Sequence, residues 1–233
     1  MSTVFRDHLV NDYGFPLERT AVIPYAVRLQ RFSGLESKRS EPPTILVLGR
    51  VAVRKGVEDV VAVAKALFAR KIDARVRVVG GPDLSSDYRK LLEDLPAESA
   101  EYVGRIPPAQ IPAELARATV LLQASKYEPF GLTVAEALAA GVVVVATSEV
   151  GAIEGVDRSV VAEVEPGDVE AMVEGISRML EKVRANHDEV AETARAEAKR
   201  LFAPEVVCGQ MSDALEALVA RTSARNGATG PGG

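Results

Sequence analysis

The feature that most constrains the fold is a repeated alternation of short, largely apolar runs of strand length with stretches of helical spacing. The apolar runs are Thr44–Leu48, Ala74–Val79, Ala100–Val103, Val120–Ala124, Val142–Ala146 and Val160–Val164. Between the first two, Val57–Arg70 brings Val60, Val61, Ala64, Leu67 and Phe68 to one side of a helix. Asp87–Leu95, Pro108–Ala118 and Thr133–Ala140 read as further helices, and Asp168 to about Arg221 as helix in two or three pieces broken near Asn186 and Pro204. Strands that are apolar on both sides must be covered on both faces, which is the condition of a parallel sheet with helical crossovers. The expected fold class is α/β, a doubly wound parallel sheet of Rossmann-like type with C-terminal helices.

Ligands of such folds bind beyond the carboxyl ends of the strands. Every loop that carries chemistry here, 49–56, 80–83, 104–107 and 125–132, follows a strand. All are therefore expected along one edge of the sheet. The first forty or so residues stand outside the alternation: Phe5–Tyr13 reads as a helix, Thr20–Pro24 as a short extended piece, and Gln30–Pro43 as a polar linker. Residues 44–221 form the expected main domain, and 222–233, rich in Gly, Ser and Thr, a disordered tail.

The most informative stretch is Glu128-Pro-Phe-Gly-Leu-Thr-Val-Ala-Glu136. One carboxylate lies in the loop after a buried strand and the other in the early turns of the next helix. A helix that starts directly after a strand presents unpaired N–H groups to an anion, and carboxylates nearby can hold the hydroxyls of whatever carries it. The alternative is that both are surface acids that favour the helix dipole. Gly49-Arg50-Val-Ala-Val-Arg-Lys55-Gly56 places two cations after the first strand, where an anion is expected. It is neither a P-loop nor the glycine-rich dinucleotide fingerprint. Gly80-Gly81-Pro82 reads as an ordinary turn, whereas Arg105 in Gly104-Arg105-Ile106-Pro107 is a guanidinium that can stack on a nucleobase.

Other chemistries lack residues. The net charge of −5 gives no basic stripe for nucleic acid. His8 and His187 are the only histidines and Cys208 the only cysteine, so zinc has few ligands and no intrachain disulfide can form. A reducing, cytoplasmic setting fits. Cys208 is expected in the core and His187 in solvent. Ser125 and Thr133 have no histidine nearby in sequence to serve as a base. No apolar run approaches the ~18 residues of a membrane span, and the opening residues are too polar for a signal peptide.

These pieces, with Val22-Ile23-Pro24, Arg31-Phe32, Val103-Gly104-Arg105 and Gly141 to Ala146, resemble in order and spacing the C-terminal half of retaining GT-B glycosyltransferases. That group includes glycogen and sucrose synthases and bacterial mannosyltransferases. The resemblance implies a donor-binding domain for a nucleotide-diphosphate sugar, with no metal and no cofactor beyond that substrate. It implies that Gly49, Arg50 and Lys55 meet the diphosphate, that amides of Phe130, Gly131, Leu132 and Thr133 meet the phosphates or sugar, and that Glu128 holds sugar hydroxyls. Glu136 would take the ribose hydroxyls, and Arg105 and Ile106 the base. Arg50, Lys55 and Glu128 are the residues expected to act in catalysis.

Residues 1–43 then resemble the last helix of a preceding domain and the interdomain linker. An acceptor-binding domain of roughly 150 residues, or a separate subunit, is the implied partner. The sequence departs from the family pattern at Tyr25-Ala26-Val27-Arg28, at Ala124 and in the valine run after Gly141. Two rival readings share the phosphate contacts in whole or part: a non-catalytic nucleotide-sugar-binding or regulatory subunit, and a nicotinamide-dependent oxidoreductase. The missing glycine fingerprint argues against the second.

Overall fold

The computed structural model describes residues 2–35, 41–83 and 87–227. Its strands are β1 (Thr44–Leu48), β2 (Arg75–Val79), β3 (Ala100–Gly104), β4 (Val120–Gln123), β5 (Val143–Thr147) and β6 (Val161–Val164). They form one sheet in the order β3-β2-β1-β4-β5-β6, and every neighbouring pair is parallel. The order is that of a doubly wound Rossmann-like sheet, in which the chain reverses its direction of travel between β1 and β4.

The helices are α1 (Thr3–Tyr13), α2 (Val57–Ala69), α3 (Ile111–Arg117), α4 (Leu132–Ala140), α5 (Val169–Ala185), α6 (His187–Phe202) and α7 (Pro204–Gly227). α2 packs with α5, while α4 packs with α3 and α6. Val47 and Leu48 at the carboxyl end of β1 are half-buried, while Ile45 and Leu46 of β1, Val120 to Leu122 of β4 and Val143 to Ala146 of β5 have no exposure. Each such Val, Leu or Ile side chain contributes about 1.5–3 kcal/mol by leaving water. The fully buried middle of the sheet, β4 and β5 with the start of β1, therefore supports the loops at the reversal.

Several local expectations are corrected. The helix expected over 87–95 is a 3-10 turn, Arg89–Asp94, and 108–118 divides into a 3-10 turn, Pro108–Gln110, followed by α3. Pro112 lies in the first turn of α3, where its missing N–H costs nothing, so the longer helix restarts there. Helix α7 continues to Gly227, into the stretch expected as a tail; between Arg221 and Asn226 no Pro or Gly interrupts it. Residues 228–233 of that tail and 36–40 of the expected linker lie outside the described residues.

Cys208 is exposed rather than in the core. Val207 is the last residue of α7 buried against the domain, and Met211, Leu215 and Val219 beyond it are exposed as well. His187 is not in open solvent: its side chain is 15% exposed, beside Asp188, because the start of α6 folds back on the end of α5.

The segment before β1 is fastened to the domain. Ser2 caps α1 by accepting from the Phe5 amide, and the Glu154 carboxylate accepts from the Thr3 and Val4 amides at 2.9 and 3.0 Å. The Val27 amide donates to the Phe202 carbonyl at 2.8 Å, and Phe32 is buried in the core.

Candidate functional site

The loops that follow β1 and β4 meet where the strand order reverses. After β1 the chain turns through a 3-10 helix, Val53–Lys55, and enters α2 at Gly56. Gly56 has φ +70°, and a Cβ built there would lie 1.9 Å from the Ala124 carbonyl oxygen. Only glycine lets the start of α2 press this closely on the end of β4. The loop is held on both flanks: the Val51 amide donates to the Gly81 carbonyl at 2.8 Å, and the Lys126 amide donates to the Arg54 carbonyl at 2.9 Å.

The loop after β4 is equally constrained. The Ser125 carbonyl accepts from the Thr147 hydroxyl at 2.5 Å, and the Gln123 amide donates to the Ser125 hydroxyl at 2.7 Å. Gln123, Ser125 and Thr147 are buried, and these bonds satisfy polar groups that burial would otherwise penalise. Glu128 is clamped through its backbone to the turn after β5, donating to the Glu149 carbonyl at 3.2 Å and accepting from the Gly151 amide at 3.3 Å.

Between these two loops the Lys55 ammonium is bonded to the Glu128 carboxylate. Their side chains are only 20% and 14% exposed, so solvent screens the pair far less than a surface salt bridge. Gly49, Arg50 and Lys55 line one hollow together with Leu48, Val57 and Gln123. The Arg50 guanidinium pairs with Asp83 at 2.9 Å.

Helix α4 opens beside Glu128. Gly131, at φ +95°, precedes its first residue, and a Cβ there would lie 2.7 Å from Val150 and 3.4 Å from the Glu128 side chain. The helix start, expected at Thr133, falls at Leu132. No side chain caps it and its first turn holds no acid, whereas the first turn of α2 carries Glu58 and Asp59. The amides of Gly131, Leu132 and Thr133 therefore keep the partial positive charge of a helix N-terminus without an internal counter-charge. Phe130 supplies its backbone to this turn. Its ring is buried, edge-on to Tyr25 and Phe202 at 5.2 and 5.6 Å.

A second group forms further along α4. Glu136 is the only charged residue in that helix, and its side chain is 12% exposed. Burial raises its carboxyl above the ordinary range, and the nearby Arg31 guanidinium opposes the rise. Arg31 stands 3.5 Å from the Glu136 carboxylate and donates to the Pro108 carbonyl at 3.0 Å. It thereby connects the segment before β1, α4 and the loop after β3. The stem of Arg105 lies over Gly81, and Ile106 packs on the core.

The structure thus gathers the expected residues in two groups: Gly49, Arg50, Lys55, Glu128 and Gly131 to Thr133 at the strand reversal, and Glu136 with Arg31 beside the loop that bears Arg105 and Ile106. Sequence reasoning missed what Arg31 and Asp83 do. Arg31 was legible only through its place next to Phe32. Among the described residues, no group of three or more His, Cys, Asp or Glu side chains is placed to hold a metal, and no helix is long and apolar enough to cross a membrane.

Residues 31–197 match the family described as Glycosyl transferases group 1. The chain belongs to that family. Among its relatives, the D-inositol 3-phosphate glycosyltransferase of Paenarthrobacter aurescens is 33% identical over 170 residues, covering 66% of this chain and 40% of the relative. The GDP-mannose-dependent alpha-(1-6)-phosphatidylinositol monomannoside mannosyltransferase of Mycobacterium tuberculosis is 26% identical over 198 residues, covering 77% and 51%.

Among solved structures, the sucrose-phosphate synthase of Thermosynechococcus elongatus superposes with a TM-score of 0.73 at 25% identity, over 95% of this chain and 58% of that one. The fold of this glycosyltransferase-family chain is thus of GT-B type, Rossmann-like. The chain spans about a third to a half of the length of the curated relatives it matches.

Proposed function

We propose that this chain binds the nucleoside diphosphate of a nucleotide sugar and serves as the donor half of a glycosyltransferase that transfers the sugar with retention of configuration. The observation that carries the reading is the Lys55–Glu128 pair at the strand reversal, beside a helix N-terminus that holds no acid of its own.

The pair is chemically economical. Lys55 and Glu128 satisfy each other's charge. When a diphosphate arrives, Lys55 passes to a phosphate oxygen, and Glu128 is released to accept hydrogen bonds from sugar hydroxyls on the same ligand. A single exchange of partners therefore prepares both contacts. As the bond from sugar to phosphate breaks, the leaving diphosphate gains negative charge. Lys55, Arg50 and the amides of Gly131 to Thr133 stabilise that charge without reorganising. One such oriented donor lowers a barrier by about 3 kcal/mol.

The sugar carbon becomes positive at the same time, and the Glu128 carboxylate offsets it. Glu136 accepts from the ribose hydroxyls, and Arg105 and Ile106 flank the base. The chain's own cations and amides carry the phosphate charge in this reading, with no metal needed. A relative named for GDP-mannose supports a nucleotide-sugar donor. The part of the relatives that this chain does not span supports an acceptor-binding domain or partner chain.

Calorimetric titration with uridine, guanosine and adenosine diphosphates and with pyrophosphate tests the reading. At least one nucleoside diphosphate binds, and Lys55→Ala weakens it. Unchanged binding in that variant contradicts the phosphate role.

A further inference from the structure

We propose that Arg31 is a positioning residue for nucleoside recognition: it fixes the Glu136 carboxylate and ties the segment before β1 to the loop after β3, so that the nucleoside end of the site depends on how that segment is seated. This rests on the reading that Glu136 takes the ribose hydroxyls.

The backbone around Arg31 is held from both sides. Residues Leu29–Arg31 form a 3-10 turn, the Val27 amide is bonded to Phe202 and Phe32 is buried. The guanidinium lies 5.6 Å from the Phe32 ring, which limits its swing. Its two terminal nitrogens divide their work: one faces Glu136 at 3.5 Å, and the other donates to the Pro108 carbonyl at 3.0 Å. A planar fork can serve two acceptors in fixed directions, and an ammonium cannot do so with the same geometry.

The other charged groups near α4 are engaged elsewhere. Arg195 of α6 reaches the far end of α4 at the Ala140 carbonyl, and Glu114 and Arg117 of α3 pair with Arg77 and with each other. Burial disfavours the ionised form of Glu136, and Arg31 is the cation that counters it. A protonated Glu136 loses acceptor capacity toward a hydroxyl pair. Arg31 thus acts on the ligand through Glu136.

The test follows the Glu136 carboxyl carbon by NMR in a pH titration of wild type, Arg31→Gln and Arg31→Lys, with Glu136→Gln identifying the resonance. In parallel, each protein is titrated with uridine, guanosine and adenosine diphosphates and with pyrophosphate between pH 5 and 8. In Arg31→Gln the Glu136 titration moves to higher pH. The best nucleoside diphosphate weakens by about tenfold, increasingly as pH falls, while pyrophosphate is little changed. Arg31→Lys recovers the ionisation in part and folds if the glutamine variant does not.

If Glu136 titrates identically in wild type and both variants, the proposal is overturned. It is equally overturned if Glu136→Gln loses nucleoside selectivity and Arg31→Gln keeps it. If Glu136→Gln itself keeps that selectivity, the ribose reading fails, and the carbon titration still decides whether Arg31 governs Glu136.

Discussion

The Lys55 ammonium donates to the Glu128 carboxylate across the seam between β1 and β4, joining residues 73 positions apart in sequence. Neither loop builds this contact alone. It exists because the sheet brings β1 and β4 together in register, Ile45 beside Val120 and Leu46 beside Leu121, and because Gly56 lets the two loops approach.

Replacing Lys55 with alanine removes the cation and leaves the largely buried Glu128 carboxyl without that partner. Nucleoside diphosphate affinity is expected to fall about 10- to 100-fold, the range for losing a hydrogen bond to a charged group. Stability falls by about 1–3 kcal/mol as well, since a mostly buried charge loses its partner. Calorimetry and chemical denaturation measure the two effects separately, and equal affinity for wild type and variant would remove Lys55 from the phosphate site.

Glu128→Gln acts in the opposite sense on the bare nucleotide. It releases Lys55, so a nucleoside diphosphate binds as well as before or somewhat more tightly. Under the proposed donor role, a nucleotide sugar binds more weakly, and any glycosyl transfer that depends on this chain falls by about 100-fold or more. Parallel losses for nucleotide and nucleotide sugar would show that Glu128 positions Lys55 rather than the sugar.

Gly56→Ala tests the packing that creates the seam. The residue has φ +70°, and the new Cβ would meet the Ala124 carbonyl oxygen at 1.9 Å, so backbone must move. The expected destabilisation is roughly 2–5 kcal/mol, from left-handed strain together with overpacking. At this chain length that lowers Tm by about 4–20 °C. A thermal midpoint within a degree of wild type would mean that the close approach is not required.

Glu136 gives a pH-dependent prediction with a definite sign. Its carboxyl is raised in the folded chain by burial, against the pull of Arg31. Between its unfolded and folded pKa values the native state binds more protons, so stability falls as pH rises through that window, and the full penalty remains above it. Glu136→Gln is therefore expected to be at least as stable as wild type at pH 7–8, and to lose that advantage below the unfolded value. Binding of a nucleoside diphosphate falls in the same variant. A variant less stable than wild type at pH 8 would argue that Glu136 makes a favourable structural contact instead.

The doubly wound parallel sheet and the placement of the loops after its strands were largely readable from the chain, because burial on both faces writes itself as continuous apolar runs such as Val120 to Leu122 and Val143 to Ala146; the strand order, set by tertiary pairing, was not. Other features depend on tertiary neighbours. Cys208 sits among residues with apolar helical spacing, but it and Met211, Leu215 and Val219 beyond it face solvent, and spacing cannot show whether a partner face is present. His187 looks solvated in a charged stretch, yet the turn at Asn186 folds it back toward α5. The 3-10 turn at Pro108–Gln110 precedes Pro112 in the first turn of α3, a local proline effect that divides a helix without erasing its periodicity.

The candidate site shows the same division. Lys55, Glu128 and Glu136 stand out by residue type and position after strands. Arg50 with Asp83 and Arg31 with Glu136 are pairings between segments distant in sequence, and no local pattern announces them.

The most direct measurement is backbone amide mapping by NMR of the 233-residue chain titrated with uridine, guanosine and adenosine diphosphates. The account predicts that one of them produces saturable shifts concentrated at residues 49–56 and 128–134, lost or much weakened in Lys55→Ala. Saturable shifts centred elsewhere, or none with any of the three, would contradict the claim that the seam between β1 and β4 grips a nucleoside diphosphate.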